Sequence, residues 1–379
     1  MDESIKRFEI KNFKKFEHLI VDNIGQINLI TGDNNVGKTC LLEALTLKND
    51  IKLNISFLKH FLASRGFVFD ESIRHNVSDI ENNKKNNIIG LTQRDINGPI
   101  IVNFHKADGR VEEFVIKNEN IDVVNTENVE IKQFAKELEK YPEINSLSKN
   151  WILFYVDDEL KYMVDVTSLY YRQFFETAGY IPLITLNDFF REDLVRFYNE
   201  AISNLSGKSK FIETLNFVFP FDKIIDIQTK VLYGQDQLTV ATELNSSFHS
   251  IAQYGSGFVR LLRIVLEMSL NENKRLMIDE IDTGIHFLKM KDVWTTIFML
   301  AKQMNIQVFA TTHNLDCIKS FIDAADKNDE IKKSLRLIEL EEFNSKSNGI
   351  VNKSTTYDFE TFKFKVETDT NIRGGNVWR

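Results

Sequence analysis

The chain has 379 residues, 43% hydrophobic and 27% charged, a balance suited to a folded protein of one large or two ordinary domains. Its net charge of −8 does not point to the basic stripe of a nucleic-acid binder, so nucleic acid stays a possible partner that the charge does not indicate. No apolar run reaches the roughly 18 residues of a membrane span, and Met1 to Lys6 lack a signal-peptide pattern, so no membrane partner and a cytoplasmic location are expected.

Short strand-like pieces at Ile5–Ile10 and His18–Val21 lead to the β-prone run Gln26-Ile27-Asn28-Leu29-Ile30. There follows Gly32-Asp33-Asn34-Asn35-Val36-Gly37-Lys38-Thr39, a complete G-x-x-x-x-G-K-T phosphate loop, and then a helix over 38–48. Glycines let such a loop curl its amides toward phosphate, and the positive end of the next helix adds to them. The candidate nucleotide contacts are Gly32, Asn34, Asn35, Gly37, Lys38, Thr39 and Cys40. Lys38 reaches for the β and γ phosphates and Thr39 for Mg²⁺, which makes a nucleoside triphosphate and Mg²⁺ the expected ligands. Cys40 reads as a small buried residue rather than a redox group, and with Cys317 it forms no metal or disulfide spacing.

Further along, 77–90 is polar and loop-like. The runs 99–104 and 111–116 flank Asp108-Gly109 as a hairpin; 151–155 with 161–166, and 224–231 with 237–244, suggest further hairpins. Helices are predicted over 129–141, over 187–204 with Asn187 as its cap, and over 208–217.

A phosphate loop alone does not separate kinases, GTPases and ATPases, so distant partners decide. Tyr254-Gly255-Ser256-Gly257 opens a helix to about Leu270, whose polar face would carry Arg260, Arg263 and Glu267; Ser256 and the Gly257 amide offer a second anion site. The alternative is a capped core helix. Arg275 to Glu280 has the Walker B form, an apolar strand ending in an acidic pair. Asp279 would hold Mg²⁺ opposite Thr39, and Glu280 would act as general base. A helix at 286–304, with Phe287, Met290, Val293, Trp294, Ile297 and Ala301 at helical spacing, leads to the strand Ile306–Ala310 and Thr311-Thr312-His313. That strand–helix–strand order is a parallel crossover, which puts His313 at the same sheet edge as the acidic pair, where it could sense γ-phosphate. Candidate catalytic residues are therefore Glu280, His313 and Lys38.

The pattern resembles the ABC-type ATPase heads of chromosome-maintenance and recombination proteins. More narrowly, it is similar to the "AAA family" ATP-binding proteins close to the overcoming-lysogenization-defect (OLD) nucleases. The matching pieces are Asn12-Phe13-Lys14-Lys15-Phe16, Gly32–Thr39 with Glu43-Ala44-Leu45, Tyr254–Leu262, Met277–His286 and Thr311–Asn314. The resemblance implies an α/β P-loop NTPase of ABC-ATPase type, with an antiparallel β subdomain and a largely helical insertion. The core would be 1–50 with 223–345, the insertion 51–222 of hairpins plus helices, and 346–379 a C-terminal extension. It also implies a homodimer or higher oligomer that sandwiches ATP. Ser256 and Gly257 of one copy would then meet the phosphate held by Lys38 of the other, with Thr283–His286 as the D-loop between them. The Tyr-Gly-Ser-Gly signature suits the OLD-like branch, and the stretch past His313 is too short for a TOPRIM nuclease domain. The expectation is an ATP-hydrolysing switch that controls a separate effector, a nuclease or toxin encoded nearby, in antiphage defence. The alternative is a DNA repair or chromosome-associated ATPase acting directly on nucleic acid.

Overall fold

A computed structural model describes residues 4–48, 98–122, 125–138, 150–165, 182–185, 191–204, 208–218, 223–232, 234–271, 274–345 and 349–368. The expected cap Asn187 and the polar stretch 77–90 lie outside them.

In chain order, β1 (Ile5–Phe13), β2 (Phe16–Val21) and β3 (Ile27–Gly32) lead into α1 (Lys38–Ala44). Next come β4 (Ile100–Lys106), β5 (Val111–Asn120), α2 (Val129–Leu138), β6 (Asn150–Val156) and β7 (Glu159–Asp165). Then follow β8 (Leu183–Ile184), α3 (Arg191–Asn204), α4 (Lys208–Val218), β9 (Ile224–Leu232), β10 (Gln235–Thr242) and β11 (His249–Ser250). The last third holds α5 (Ser256–Leu270), β12 (Arg275–Ile278), α6 (Met290–Gln303), β13 (Gln307–Thr311), α7 (Leu315–Ala325) and α8 (Asp329–Ser334). The hairpin β14 (Leu335–Ser345) and β15 (Gly349–Tyr357) precedes α9 (Phe359–Glu367).

The central sheet runs β15-β14-β3-β13-β12-β8, parallel throughout except for the antiparallel edge strand β15. Its strands alternate between two apolar layers, as a sheet covered on both faces must. Leu29, Leu276, Ile278, Val308 and Ala310 join the core made with α3, α5, α6 and α7, whereas Ile30, Met277 and Phe309 join the core made with α1 and a second sheet. That second sheet is antiparallel, in the order β2-β1-β4-β5-β6-β7. The architecture is the expected α/β P-loop fold with an antiparallel β subdomain.

The predicted hairpins form; the turn between β6 and β7 uses Asp157 and Asp158, both at positive φ (50° and 65°), as a two-residue turn with matching twist requires. The described part of 51–222 contains β4 to β8 together with α2, α3 and α4. Strands β4 to β7 extend the sheet begun by β1 and β2, and β8 pairs with β12 in the central sheet. Residue 345 ends β14 and pairs with Gly349, so the β14–β15 ladder joins the two sides of that position. The β1–β4 and β8–β12 pairings are long-range, and a local reading of hydrophobic pattern carries no information on them.

Buried polar side chains fasten the layers. Gln307 donates from Nε2 to the carbonyls of Ile5 (2.8 Å) and Gly25 (2.7 Å) and accepts from the Ile5 amide, joining β1 to β13. Asn28 donates to Gly25 and Val308 carbonyls and accepts from the Gly25 amide, so a polar residue in the middle of β3 is fully engaged. Arg275 donates to Leu47 O and lies over the Phe104 ring at 4.3 Å, tying the start of β12 to the end of the P-loop helix region and to β4.

Helix α6 buries Met290, Val293, Trp294, Ile297 and Ala301 as its spacing predicts, but Phe287 is 53% exposed in the 3-10 turn Phe287–Lys289 before it. Trp294 is fully buried, edge-on to Phe321 (4.8 Å) and stacked near Phe298 (5.9 Å). Trp294→Ala should therefore cost about 3–5 kcal/mol, read as a lower urea midpoint without a change of slope. An unchanged midpoint would contradict this packing.

Candidate nucleotide site

The carboxyl ends of β3, β12 and β13 lie side by side, so the segments that leave them share one edge of the sheet. From β3 comes the glycine loop. Gly32 (φ 144°) and Gly37 (φ 107°) adopt conformations that a side chain resists, and space excludes one as well. A Cβ on Gly37 would stand 2.7 Å from Cζ of Phe16, and one on Gly32 would stand 2.4 Å from the Leu340 carbonyl. Asn34 and Asn35 are exposed on the crest, Asn35 also at positive φ (67°), and its carbonyl accepts from Lys15. Cys40 is half-buried and packs against the α1 core, in keeping with a filler.

Lys38 turns back over its own loop and donates to the carbonyls of Gly32 (2.9 Å) and Asp33 (2.8 Å). Burial pulls its ammonium below the ordinary lysine value of 10.5, against the opposing charges of Asp279, Glu280 and Asp33. Beside it, Thr39 Oγ1 donates to Asp279 Oδ2 at 2.8 Å. The other carboxylate oxygen, Oδ1, accepts from Thr311 Oγ1 at 2.6 Å. One carboxylate thus joins the ends of all three strands.

Past Asp279 the chain turns sharply. Glu280 has φ 45°, its amide donates to Thr311 Oγ1 (2.8 Å), and Ile281 N donates to Thr311 O (3.0 Å). Thr283 Oγ1 lies 3.3 Å from Glu280 Oε2, and Thr312 Oγ1 donates to Asp282 (2.6 Å). His313 follows β13 at the same edge and is exposed. Lys38, Thr39, Asp279, Glu280 and His313 are all brought to this edge.

Ser256 and Gly257 belong to the first turn of α5 and contact the loop after Glu280. A Cβ on Gly257 would be 2.5 Å from the Gly284 carbonyl, and one on Gly284 (φ 77°) would be 3.1 Å from Ser256 Oγ. The expected polar face of α5 is instead turned inward. Arg260 is 2% exposed and donates to the carbonyls of Asp279 (2.5 Å) and Glu280 (2.8 Å). Arg263 pairs with the fully buried Glu267 and lies 4.2 Å from the Phe197 ring centroid. Burial pushes the Glu267 carboxyl well above its usual range. A polar stripe at helical spacing looks the same whether it meets water or buried carbonyls, so the sequence misassigned it. Thr311 also escaped selection, although a threonine closing a buried strand beside His313 was the available signal.

A hydroxyl and a carboxylate within hydrogen-bond reach, Thr39 and Asp279, form a hard-oxygen donor set that fits Mg²⁺. Among the described residues no helix is long and apolar enough to cross a membrane.

Over 397 aligned residues the chain is 24% identical to a Helicobacter pylori protein named ATP/GTP phosphatase, covering 98% of this chain and 100% of that one. It is 41% identical over 73 residues to an uncharacterized protein of Methanocaldococcus jannaschii, covering 18% of this chain and 33% of the other. Similar solved structures include the SMC head domain from Thermotoga maritima, with TM-score 0.44, 11% identity and coverage of 93% and 99%. An Smc head bound to the C-winged helix domain of ScpA gives TM-score 0.47 at 13% identity, covering 95% and 99%. A family match spans residues 27–316, from the P-loop strand to the start of α7, and the chain belongs to that family, the AAA domain described as a putative AbiEii toxin of a Type IV TA system.

Proposed function

We propose that this protein is an ATP-hydrolysing switch that dimerises around nucleotide and passes its state to a separate effector. The observation that carries the reading is the Asp279 carboxylate held between Thr39 and Thr311, with Glu280 set beside it. Lys38 and the loop amides bind the β and γ phosphates, where the ammonium exchanges its loop carbonyls for phosphate oxygens. Thr39 and Asp279 would hold Mg²⁺, which would supply positive charge to offset the negative charge of the phosphates. Glu280 orients a water and accepts its proton as the water oxygen bonds to the γ phosphorus and the bridging P–O bond breaks, leaving ADP and phosphate. His313 donates to the γ phosphate and registers its departure.

Ser256 and Gly257 start a fifteen-residue helix whose N-terminus is exposed, which suits them to the phosphate held by a second copy. Nucleotide would then act as the clamp of a two-fold dimer and hydrolysis as its release. The relative named ATP/GTP phosphatase supports hydrolysis. The family's description as a toxin of a Type IV TA system supports a role in a two-component system, which we take to be OLD-like antiphage defence with a nuclease or toxin effector encoded nearby.

Glu280→Gln should lower ATP turnover by roughly 10² or more, keep nucleotide affinity, and accumulate an ATP-dependent dimer seen by light scattering after size exclusion. Turnover at the wild-type rate would remove Glu280 from its role. Lys38→Met tests the loop independently. A lysine depressed below 10.5 opposes folding while it is charged, and that penalty fades as pH rises toward 10.5. The nucleotide-free variant should therefore melt at or above the wild-type temperature at neutral pH, while the rise in melting temperature that ATP gives the wild type disappears. A retained ATP-induced rise would contradict the assignment.

A further inference from the structure

The guanidinium of Arg260 lies inside the molecule and addresses a backbone. Its Nη2 donates to the carbonyls of both acidic residues after β12, Asp279 at 2.5 Å and Glu280 at 2.8 Å. A charged donor on a carbonyl is stronger than a neutral one, and low surrounding polarity strengthens it further. Glu280 needs such holding, because φ 45° is a left-handed setting that is unfavourable for a non-glycine residue. Its amide side is fixed by Thr311 Oγ1 and its carbonyl side by Arg260. The direction in which the Glu280 side chain leaves the turn is thus set jointly by β13 and by α5.

Arg260 stands one turn along α5 from Ser256, the helix's first residue. That first turn packs closely against the loop that follows Glu280, since a Cβ on Gly257 would stand 2.5 Å from the Gly284 carbonyl and one on Gly284 would stand 3.1 Å from Ser256 Oγ. The helix start, the 279–284 turn and the guanidinium between them therefore have to move together. A tightly packed unit of this kind shifts as a whole rather than bending continuously.

We propose that Arg260 is a positioning residue that makes the setting of Glu280 depend on where the N-terminus of α5 sits. An anion or a second copy of this chain engaging Ser256 and Gly257 displaces or steadies α5, and Arg260 carries that change to the Glu280 carbonyl without touching the nucleotide. The inference rests on the reading of Glu280 as the water-activating group.

The test compares full-length Arg260→Gln and Arg260→Lys, each alone and combined with Glu280→Gln, by ATP turnover and by binding of a fluorescent ATP analogue. Arg260→Gln should lower kcat about 10²-fold, the scale of a misplaced reacting group, while affinity for the analogue stays within about threefold. Arg260→Lys should fall between, since an ammonium can still donate to one carbonyl. In the Glu280→Gln background neither substitution should lower the residual rate further, a non-additivity that mere loosening of the fold would not produce. Should Arg260→Gln melt far below the wild type, Arg260→Lys carries the same comparison. Wild-type kcat in both Arg260 variants, or the same fold-loss in both backgrounds, would overturn the inference. If Glu280→Gln alone turns over normally, the reading of Glu280 falls and this inference falls with it; an inactive Glu280→Gln beside fully active Arg260 variants overturns the inference only.

Discussion

The carboxylate of Asp279 accepts from Thr39 on one oxygen and from Thr311 on the other, and most of the architecture can be understood as what brings those hydroxyls to it. Thr39 and Asp279 are 240 positions apart, so closing that loop has an entropic cost that no single hydrogen bond offsets. Sheet pairing supplies the difference. With β13 between β3 and β12, the strand carrying Thr311 becomes the spacer between the strands that end in the glycine loop and in the acidic pair. The two apolar layers then hold the sheet from both faces, and burial of Ile30, Met277 and Phe309 on one side with Leu29, Ile278 and Ala310 on the other fixes its register.

The same order explains the polar groups inside. Gln307 at the start of β13 bonds to Ile5 and Gly25, and Thr311 at its end bonds to Asp279. One strand therefore fastens the antiparallel sheet at its first residue and the site at its last. Removing either partner would leave a buried polar group unsatisfied, which costs more than the bond contributes. Arg275 and Arg260 act alike on either side of β12, the first on Leu47 O and the second on the carbonyls of Asp279 and Glu280. The Walker B strand is held by cations at both ends, from different layers.

What the sequence disclosed follows from range. The loop 32–39, the acidic pair at 279–280 and the Thr311–His313 segment are each set by a few consecutive residues whose conformation is local, and their shared edge follows from a strand–helix–strand order. The hairpins around Gly109 and Asp157-Asp158 were legible because turn chemistry is local too. The joining of β4 to β1, the pairing of β8 with β12 and the reach of β14 beside β3 were not, since nothing near those residues names a partner. Arg260 is the instructive miss. Its spacing with Arg263 and Glu267 marks a polar stripe, and periodicity cannot say that the stripe faces Asp279 O, Glu280 O and Phe197 instead of water.

These buried and strained features share a direction. Lys38 is charged in a partly desolvated loop that holds it with carbonyls, and Glu280 sits in a left-handed turn. Each is unfavourable for the chain by itself, and each is maintained by a group that belongs to another element: loop carbonyls for Lys38, Thr311 and Arg260 for Glu280. A phosphate at the loop would add to the negative charge that Asp279, Glu280 and Asp33 already place near the Lys38 ammonium, so ligand binding and stability are linked through the residue that recognises the ligand. Loss of the γ phosphate would return that ammonium to its loop carbonyls and leave the helix N-terminus at Ser256 without an anion. On the proposed reading, the free energy for switching would come from the exchange of these loop carbonyls for phosphate oxygens at Lys38.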